Sequence, residues 1–492
     1  MKNFLVMIVI SIFSVNITFA ESILKLSEVR PGMNGVGYTV IENSRIDSFN
    51  VEVLKVIKGQ NGIKNMILGR VSGNPIKLSG GISEGMSGSP IYVNGRIIGA
   101  LAYTLDSDNK TIGVITPIEE MLKVSEDNKL EFARVTSNIR PGSAIAISPV
   151  RGDISFDNLG TLTLIKGSRF FALGHPIEGR GAMKYFLNEA KIDYSVPSKE
   201  NPYKMGYSLR TIGLVTQDRR AGVSGILTQD IKTYEFFTEV QSDRGTEKFN
   251  FEMPKDNLTL KFYLAKAYEF LFKNNYDADE YKSMEYSYKI LDDNKNVIYE
   301  NGNFIYFEDS LFENYSGIIG DEIMNIIDNP FKNISFKRVE MKLTLSREKR
   351  VAYIKKISLA KDVIRIGDKI KINLSYLIHQ RGIVNTVVDF EVPKDFKLGA
   401  AKIEIFAGES SRADEEGEPA NYNYKSLNEF LKYYKSKYKN NELIIKLESD
   451  DGQRYIIKRA QLKYALVLKD DFSEDIIIDS MPANEVKNES TN

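Results

Sequence analysis

The stretch GMSGSPIYVNGRIIGA, residues 85–100, decides the fold of the N-terminal part of this chain. Asn94-Gly95 lies between two apolar runs, which is the strongest short-range signal of a β-hairpin. A glycine-rich turn precedes the predicted hairpin. Gly85 and Gly88 leave the hydroxyl of Ser87 unshielded and permit a strained backbone. The stretch therefore predicts an exposed serine at the entry to a hairpin.

Ser87 is a candidate nucleophile for acyl transfer. We expect the backbone N–H groups of Gly85 and Ser87 to form an oxyanion hole, often the largest single contribution to this kind of catalysis. The pattern differs from the Gly-x-Ser-x-Gly elbow of α/β-hydrolases. That elbow has glycine where this chain has Ser89, and it leads from a strand into a helix.

The composition excludes several other kinds of site. The chain has 492 residues, which predicts two to four domains, and its 66 basic and 66 acidic residues balance. A net charge of zero argues against a nucleic-acid partner. There is no cysteine and there are only two histidines, so we expect no disulfide, no thiol catalysis, no metal site and no cofactor.

The first 20 residues have the pattern of an export signal. Lys2 supplies a positive start, an apolar run covers residues 4–13, and Ala20 is a small residue before Glu21. The run is shorter than the roughly 20 residues of a membrane-spanning helix. We expect removal of residues 1–20 and a periplasmic or extracellular protein without a stable membrane span; an uncut membrane anchor is the alternative.

Short β runs broken by Gly, Asn and Asp dominate the first half of the chain. They predict a mainly β fold with two β-barrels, at residues 21–125 and 135–250, joined by a helical segment at residues 117–124. Each block begins with the same phrase, Arg-Pro-Gly, at residues 30–32 and 140–142.

The C-terminal half has a different composition. Residues 251–335 predict a mixed helical and aromatic region, and alternating runs in residues 336–408 predict a β-sandwich. A capping box at Ser426 predicts a helix within an α+β region at residues 409–470. Residues 471–492 have the composition of a polar tail.

A serine nucleophile usually needs a base, and two histidines make the search short. His175 follows a predicted strand and lies between Gly174 and Pro176. This position favours a general base at a cleft between two barrels, and a structural role in the turn is the alternative. His379 falls within the predicted sandwich, where we expect a partly buried strand residue.

The acidic residue that would orient the imidazole is less well defined. Asp218 follows a strand in the same block as His175 and is the main candidate, although it could instead pair with a following arginine or cap a turn. A dyad without a carboxylate is also open. The competing acidic residues are Asp153, Asp157 and Glu178.

Three stretches of this sequence resemble one family. GGISEGMSGSPIYVNGRIIGALAY (80–103), GTLTLIKGSRFFALGHPI (160–177) and TIGLVTQDRRAGVSG (211–225) are similar to the sporulation factor IV B (SpoIVB-type) serine peptidases, in particular to long exported members outside spore formers. The resemblance covers roughly residues 24–240. GVITPIEEMLK (113–123) resembles the strand that lines the specificity pocket of trypsin-like proteases and the helix after it.

The resemblance implies a trypsin-like double barrel with Ser87 as nucleophile and His175 as general base. Two features differ from the sporulation peptidases. Their histidine segment precedes the serine segment, whereas Ser87 comes first here; a catalytic triad is defined by geometry and not by chain order. Their aspartate shortly before the serine has no counterpart, because residues 64–84 contain no Asp.

The sequence thus predicts an exported serine endopeptidase that acts on a protein or peptide. Asp218 is the expected third member of the site. We expect residues 251–492 to offer the surface for a substrate or an envelope protein partner. The alternative is a non-catalytic envelope binding or scaffold protein that retains a protease-like core.

Overall fold

The computed structural model describes residues 22–59, 62–105, 110–125, 138–277, 280–308, 311–359, 363–408, 424–461 and 467–479. The predicted export signal lies outside these residues, as does the segment 409–423. Of the described residues, 54% are in strands and 13% in helices, which confirms the mainly β class. It divides into two compact units, residues 1–148 with 157–231 and residues 149–156 with 232–492.

The first unit contains the two predicted barrels, and each is closed by six strands. The first barrel has the order β1-β2-β3-β6-β5-β4. Its strands are β1 (Asn34–Val40), β2 (Ile46–Lys58), β3 (Asn65–Ser72), β4 (Pro90–Val93), β5 (Arg96–Thr104) and β6 (Ile112–Pro117). Short helical segments accompany it: a 3-10 turn (Leu26–Glu28), α1 (Asn74–Leu78) and α2 (Ile118–Leu122).

Alternating side chains fill the first barrel. Along β2, Phe49, Val51 and Val53 are buried while the residues between them are exposed or half-buried. This is the period of two that a strand with one buried face requires. Met86 from the glycine-rich turn joins the same core, so the turn is anchored on the barrel by an apolar side chain.

The predicted hairpin is present as β4 and β5. Asn94 and Gly95 form its two-residue loop with φ angles of 52° and 74°. Positive φ at both positions is characteristic of a type I′ turn, whose twist matches that of the flanking strands. The glycine-rich turn therefore leads directly into a rigid strand pair, as the sequence predicts.

The second barrel has the order β10-β13-β12-β11-β7-β9. Its strands are β7 (Ala144–Ser148), β9 (Asn158–Lys166), β10 (Arg169–Ala172), β11 (Tyr185–Val196), β12 (Tyr203–Arg219) and β13 (Gly222–Leu227). The barrel ends at residue 227, before the predicted boundary at 250. The next two strands, in residues 233–254, pair within another sheet. The alternation of apolar and polar residues identifies such strands, but it does not specify the distant strand with which each one pairs.

The second unit begins with a six-stranded sheet of order β17-β16-β18-β14-β15-β8. These strands are β8 (Arg151–Gly152), β14 (Thr233–Ser242), β15 (Gly245–Pro254), β16 (Ser283–Leu291), β17 (Val297–Tyr306) and β18 (Arg338–Ser346). Its helices are α3 (Asn257–Asn275) and α4 (Leu311–Ile327), which pack against each other. Asp256 caps α3 by accepting a hydrogen bond from the Thr259 N–H.

Two further sheets enclose one apolar core, which forms a sandwich. The four-stranded sheet has β22 (Gly382–Glu391), β21 (Lys369–Ile378), β19 (Val351–Leu359) and β26 (Val467–Lys469). The five-stranded sheet has β20 (Val363–Arg365), β27 (Asp471–Asp479), β23 (Gly399–Ala407), β24 (Glu442–Ser449) and β25 (Arg454–Gln461). The predicted capped helix is α5 (Leu427–Ser436).

The sandwich is larger than predicted, and the prediction of a polar tail from residue 471 is wrong. Residues 471–479 form β27, which pairs with β23 and places Ile476 and Ile478 in the core. Ile477 between them is exposed, so burial alternates along the strand as it does in a strand with one buried face. Residues 480–492 lie outside the described part of the chain.

In the described ranges, no helix has both the length and the hydrophobicity that crossing a membrane requires.

Candidate active site

Ser87 lies in a tight double turn between α1 and β4. The N–H of Met86 donates to the Ser83 carbonyl and the N–H of Ser89 donates to the Met86 carbonyl, both at 3.0 Å. Gly85 and Gly88 have φ angles of +90° and +93°, which side chains other than glycine rarely adopt. The turn thus depends on the two glycines that the sequence analysis singled out, and it leaves Ser87 partly exposed.

The second barrel approaches this turn so closely that only glycine fits at position 88. A Cβ atom on Gly88 would lie 1.9 Å from the Thr161 carbonyl oxygen and 2.6 Å from the Leu173 nitrogen. Leu173 is two residues before His175. The serine segment of the first barrel and the histidine segment of the second therefore lie directly against each other.

Residues of β9 hold the carbonyl groups of the turn. The N–H of Thr161 donates to the Ser87 carbonyl at 2.8 Å, and its hydroxyl donates to the Gly85 carbonyl at 3.0 Å. The hydroxyl of Thr163 donates to the Gly88 carbonyl at 2.7 Å. Both threonines are fully buried, so these bonds are shielded from competition with water.

The peptide groups that carry the two expected oxyanion-hole donors are also anchored. The Glu84 carbonyl accepts a hydrogen bond from the Lys204 N–H, and the Met86 carbonyl accepts from both the N–H and the hydroxyl of Ser89. A trans peptide holds its C=O and N–H on opposite sides. These anchors therefore set the directions of the Gly85 and Ser87 N–H groups, and within the described ranges no hydrogen bond takes up either group.

Ser89 thus has a structural role that the sequence analysis did not assign. It is fully buried, and its hydroxyl lies 2.6 Å from the Met86 carbonyl oxygen. A sequence signal was visible, because Ser89 stands where the Gly-x-Ser-x-Gly elbow has glycine. Thr161 and Thr163 had no such signal, since their partners are more than 70 residues away along the chain.

His175 follows β10 in a tight turn. Leu173 and Gly174 have φ angles of 67° and 73°, and the Gly174 carbonyl accepts a hydrogen bond from the buried Thr116 hydroxyl of the first barrel at 2.6 Å. The imidazole packs on Tyr103, with ring centroids 5.3 Å apart. Tyr103 is in β5, two residues after Leu101, whose carbonyl accepts from the Gly88 N–H.

The hydrogen bond of the ring indicates which nitrogen of His175 acts as the acceptor. Nδ1 lies 2.8 Å from the Pro176 carbonyl oxygen, which can only accept, so we assign the proton of the neutral ring to Nδ1. Nε2 is then the basic nitrogen. Burial lowers the pKa of His175, while the Pro176 carbonyl and the charges of Asp218 and Glu84 oppose this shift. A lowered pKa favours the neutral, basic form at neutral pH.

Asp218 does not bond to the imidazole. Its carboxylate is fully buried in β12 and accepts three backbone hydrogen bonds, from Ile177, Glu178 and Gly179, at 2.8, 2.8 and 2.9 Å. It therefore fixes the loop that follows His175. It acts on the ring through this loop and through its negative charge, which raises the pKa of His175 against the effect of burial.

The competing acidic residues have other contacts. Asp157 accepts hydrogen bonds from the Ser148 hydroxyl and the Ser208 N–H. Asp153 belongs to the second unit and accepts from the Asn250 N–H. Glu178 is exposed and contributes its N–H to Asp218. His379 is also in the second unit, where its backbone N–H donates a hydrogen bond to the Val351 carbonyl.

Within the described residues, no group of three or more histidines or acidic residues is arranged to hold a metal ion. The serine and histidine segments hold a partly exposed serine, two unbonded N–H groups with fixed peptide planes, and a histidine with a basic nitrogen. Among the described residues, no hydrogen bond joins the Ser87 hydroxyl to the imidazole of His175. A serine, a basic histidine nitrogen and backbone N–H donors are the groups that perform acyl transfer through a covalent intermediate.

Comparison with known proteins agrees with this chemistry. A protein-family model described as SpoIVB peptidase S55 matches residues 14–122. The matched segment contains the Ser87 turn and its hairpin, whereas His175 and Asp218 lie beyond it. No curated protein and no solved structure gives a significant match. The family match suggests that the chain is a peptidase, and it supports the resemblance to the SpoIVB-type serine peptidases.

Proposed function

We propose that this protein is an exported serine endopeptidase. The observation that carries the proposal is the pair of unbonded N–H groups at Gly85 and Ser87, whose peptide planes are anchored on both barrels. Leaving preorganised donors without an acceptor costs free energy, and an oxyanion is stabilised by donors of this kind. Export is supported by the apolar run at residues 4–13.

In the proposed reaction, Ser87 Oγ attacks the carbonyl carbon of a peptide bond. His175 Nε2 takes the hydroxyl proton as the new C–O bond forms. The carbonyl oxygen becomes an oxyanion that accepts hydrogen bonds from the Gly85 and Ser87 N–H groups. His175 then gives its proton to the departing amine, which leaves an acyl group on Ser87. Attack by water, with His175 again as base, releases the acid and restores the serine.

Asp218 acts as a positioning residue in this scheme. Its three hydrogen bonds fix the 177–179 loop, and its charge stabilises the imidazolium formed when His175 takes the proton. A serine–histidine dyad on a rigid loop describes the site better than a relay in which the carboxylate bonds to Nδ1, because the Pro176 carbonyl occupies that nitrogen.

We predict that Ser87→Ala removes covalent labelling by a fluorophosphonate probe and lowers peptide hydrolysis by about 10³-fold or more, because the nucleophile is lost. Labelling is measured by intact-protein mass spectrometry. The matched control is Ser72→Ala, which changes an exposed serine at the end of β3. A wild-type protein that is never labelled, with Ser87→Ala identical to it, would favour a non-catalytic scaffold.

We predict that the rate of Ser87 labelling rises with pH, with a midpoint below 6.5. The base must be neutral, and burial lowers the pKa of His175 from that ordinary value. His175→Ala should abolish this rise and nearly all labelling. His379→Ala, which changes the only other histidine, should leave the profile unchanged. A profile that survives His175→Ala would exclude this residue as the base.

We predict that Asp218→Ala lowers the free energy of unfolding by about 2–4 kcal/mol, because three backbone N–H groups lose a charged acceptor. Labelling of Ser87 should slow in the same variant. Asp218→Asn keeps one acceptor oxygen and should give intermediate values. Urea unfolding and labelling kinetics measure the two effects. The control is Asp193→Ala, whose carboxylate is exposed on β11; wild-type labelling in Asp218→Ala would disprove the positioning role.

A further inference from the structure

Lys204 is buried beneath the Ser87 turn. It lies in β12 and is 5% exposed, whereas its chain neighbours Tyr203 and Met205, on the opposite face of the strand, are 42% and 51% exposed. Among the described residues no carboxylate pairs with its amine, and burial alone acts on its charge. Lysine is almost never fully buried without such a partner, so this side chain calls for an explanation.

The amine of Lys204 contacts the oxyanion turn itself. Nζ donates hydrogen bonds to the Gly85 carbonyl at 2.9 Å and to the Thr39 hydroxyl at 2.8 Å. Burial lowers the pKa of Lys204 to about 7, because the charged form is poorly solvated there. A methionine would fill nearly the same space without that cost, so packing alone does not account for the amine.

Lys204 also holds the other side of Gly85. Its backbone N–H donates to the Glu84 carbonyl at 3.0 Å. The Glu84 carbonyl shares a peptide plane with the Gly85 N–H, and the Gly85 carbonyl begins the next plane. One residue of the second barrel therefore restrains the peptide planes on both sides of the Gly85 Cα atom.

The side-chain bonds form a closed, buried ring. Thr161 donates its hydroxyl to the same Gly85 carbonyl at 3.0 Å, and its oxygen lies 3.5 Å from the hydroxyl oxygen of Thr39. Thr39 in turn accepts from Lys204. Glycine has no side chain that could fix its own rotation, so this ring supplies the restraint from outside.

We propose that Lys204 is a positioning residue of the oxyanion hole, which holds Gly85 so that its N–H faces the reacting carbonyl oxygen on Ser87. The proposal rests on the proposed peptidase function for its catalytic consequence. The geometric part, that Lys204 sets the orientation of Gly85, stands apart from that function and is measured separately.

The test is Lys204→Met, with Lys191→Met as the control because Lys191 is a half-exposed lysine on the neighbouring strand β11, where it pairs with Asp193. Loss of an entire oxyanion-hole donor costs about 10²–10³-fold in rate. For a loosened donor we expect the maximal rate of Ser87 phosphonylation to fall about tenfold or more, with the half-saturating probe concentration unchanged. Carbethoxylation of His175 should keep its wild-type rate, since this reaction needs no oxyanion hole.

Two further readouts separate positioning from packing. The urea midpoint of Lys204→Met should be no lower than that of the wild type, because the variant relieves the burial of an amine. Its crystal structure should show the Glu84–Gly85 peptide rotated or in two conformations. If Lys204→Met does not fold, Lys204→Gln, whose uncharged amide is one bond shorter, takes its place with the same expected displacement.

The outcomes distinguish the two claims. The role of Lys204 is overturned if Gly85 is unmoved in the crystal structure of the variant. It is also overturned if the wild type is labelled at Ser87 and the variant is phosphonylated at the same rate. A displaced Gly85 in a protein whose wild type is never labelled at Ser87 supports the positioning role and overturns the peptidase proposal. Slower carbethoxylation of His175 together with a lower urea midpoint would show that Lys204 serves general packing, which also overturns the proposal.

Discussion

The site depends on the hydrogen bonds that buried residues of the second barrel make to the carbonyl groups of the Ser87 turn. The turn contains two glycines with positive φ, so it has little rigidity of its own. Thr161 restrains it through both its backbone N–H and its hydroxyl. The Gly85 and Ser87 N–H groups share peptide planes with the Glu84 and Met86 carbonyls, which accept hydrogen bonds from Lys204 and Ser89, so each N–H faces away from its anchor. A site defined by such geometry does not depend on the order of the two barrels in the chain.

The same principle applies to the histidine segment, where the two barrels restrain each other. Thr116 of the first barrel holds the Gly174 carbonyl, while Asp218 of the second holds the loop that follows His175. The carboxylate is thus used to fix backbone, and the imidazole is oriented by the Pro176 carbonyl and by Tyr103. Burial then lowers the pKa of His175, which keeps the ring in the form that a general base requires.

Local patterns in the sequence were sufficient for the parts of the fold that depend on local interactions. Asn94-Gly95 specified its own hairpin, and the scarcity of histidine directed attention to His175. The sequence could not supply partners that lie far apart along the chain. The end of the second barrel and the pairing of β27 with β23 are choices of this kind. The burial of Lys204 also depends on distant residues. The sequence around this lysine does not indicate which face of β12 other parts of the chain will bury.

The central claim is that the Gly85 and Ser87 N–H groups form an oxyanion hole for an acyl group on Ser87. A crystal structure of the wild-type protein after reaction with a fluorophosphonate tests it most directly. The account predicts a phosphorus–Oγ bond at Ser87, with the phosphonyl oxygen about 2.7–3.1 Å from both nitrogens and His175 Nε2 facing the adduct. A phosphonyl oxygen directed to solvent, or an adduct on another residue, would contradict it.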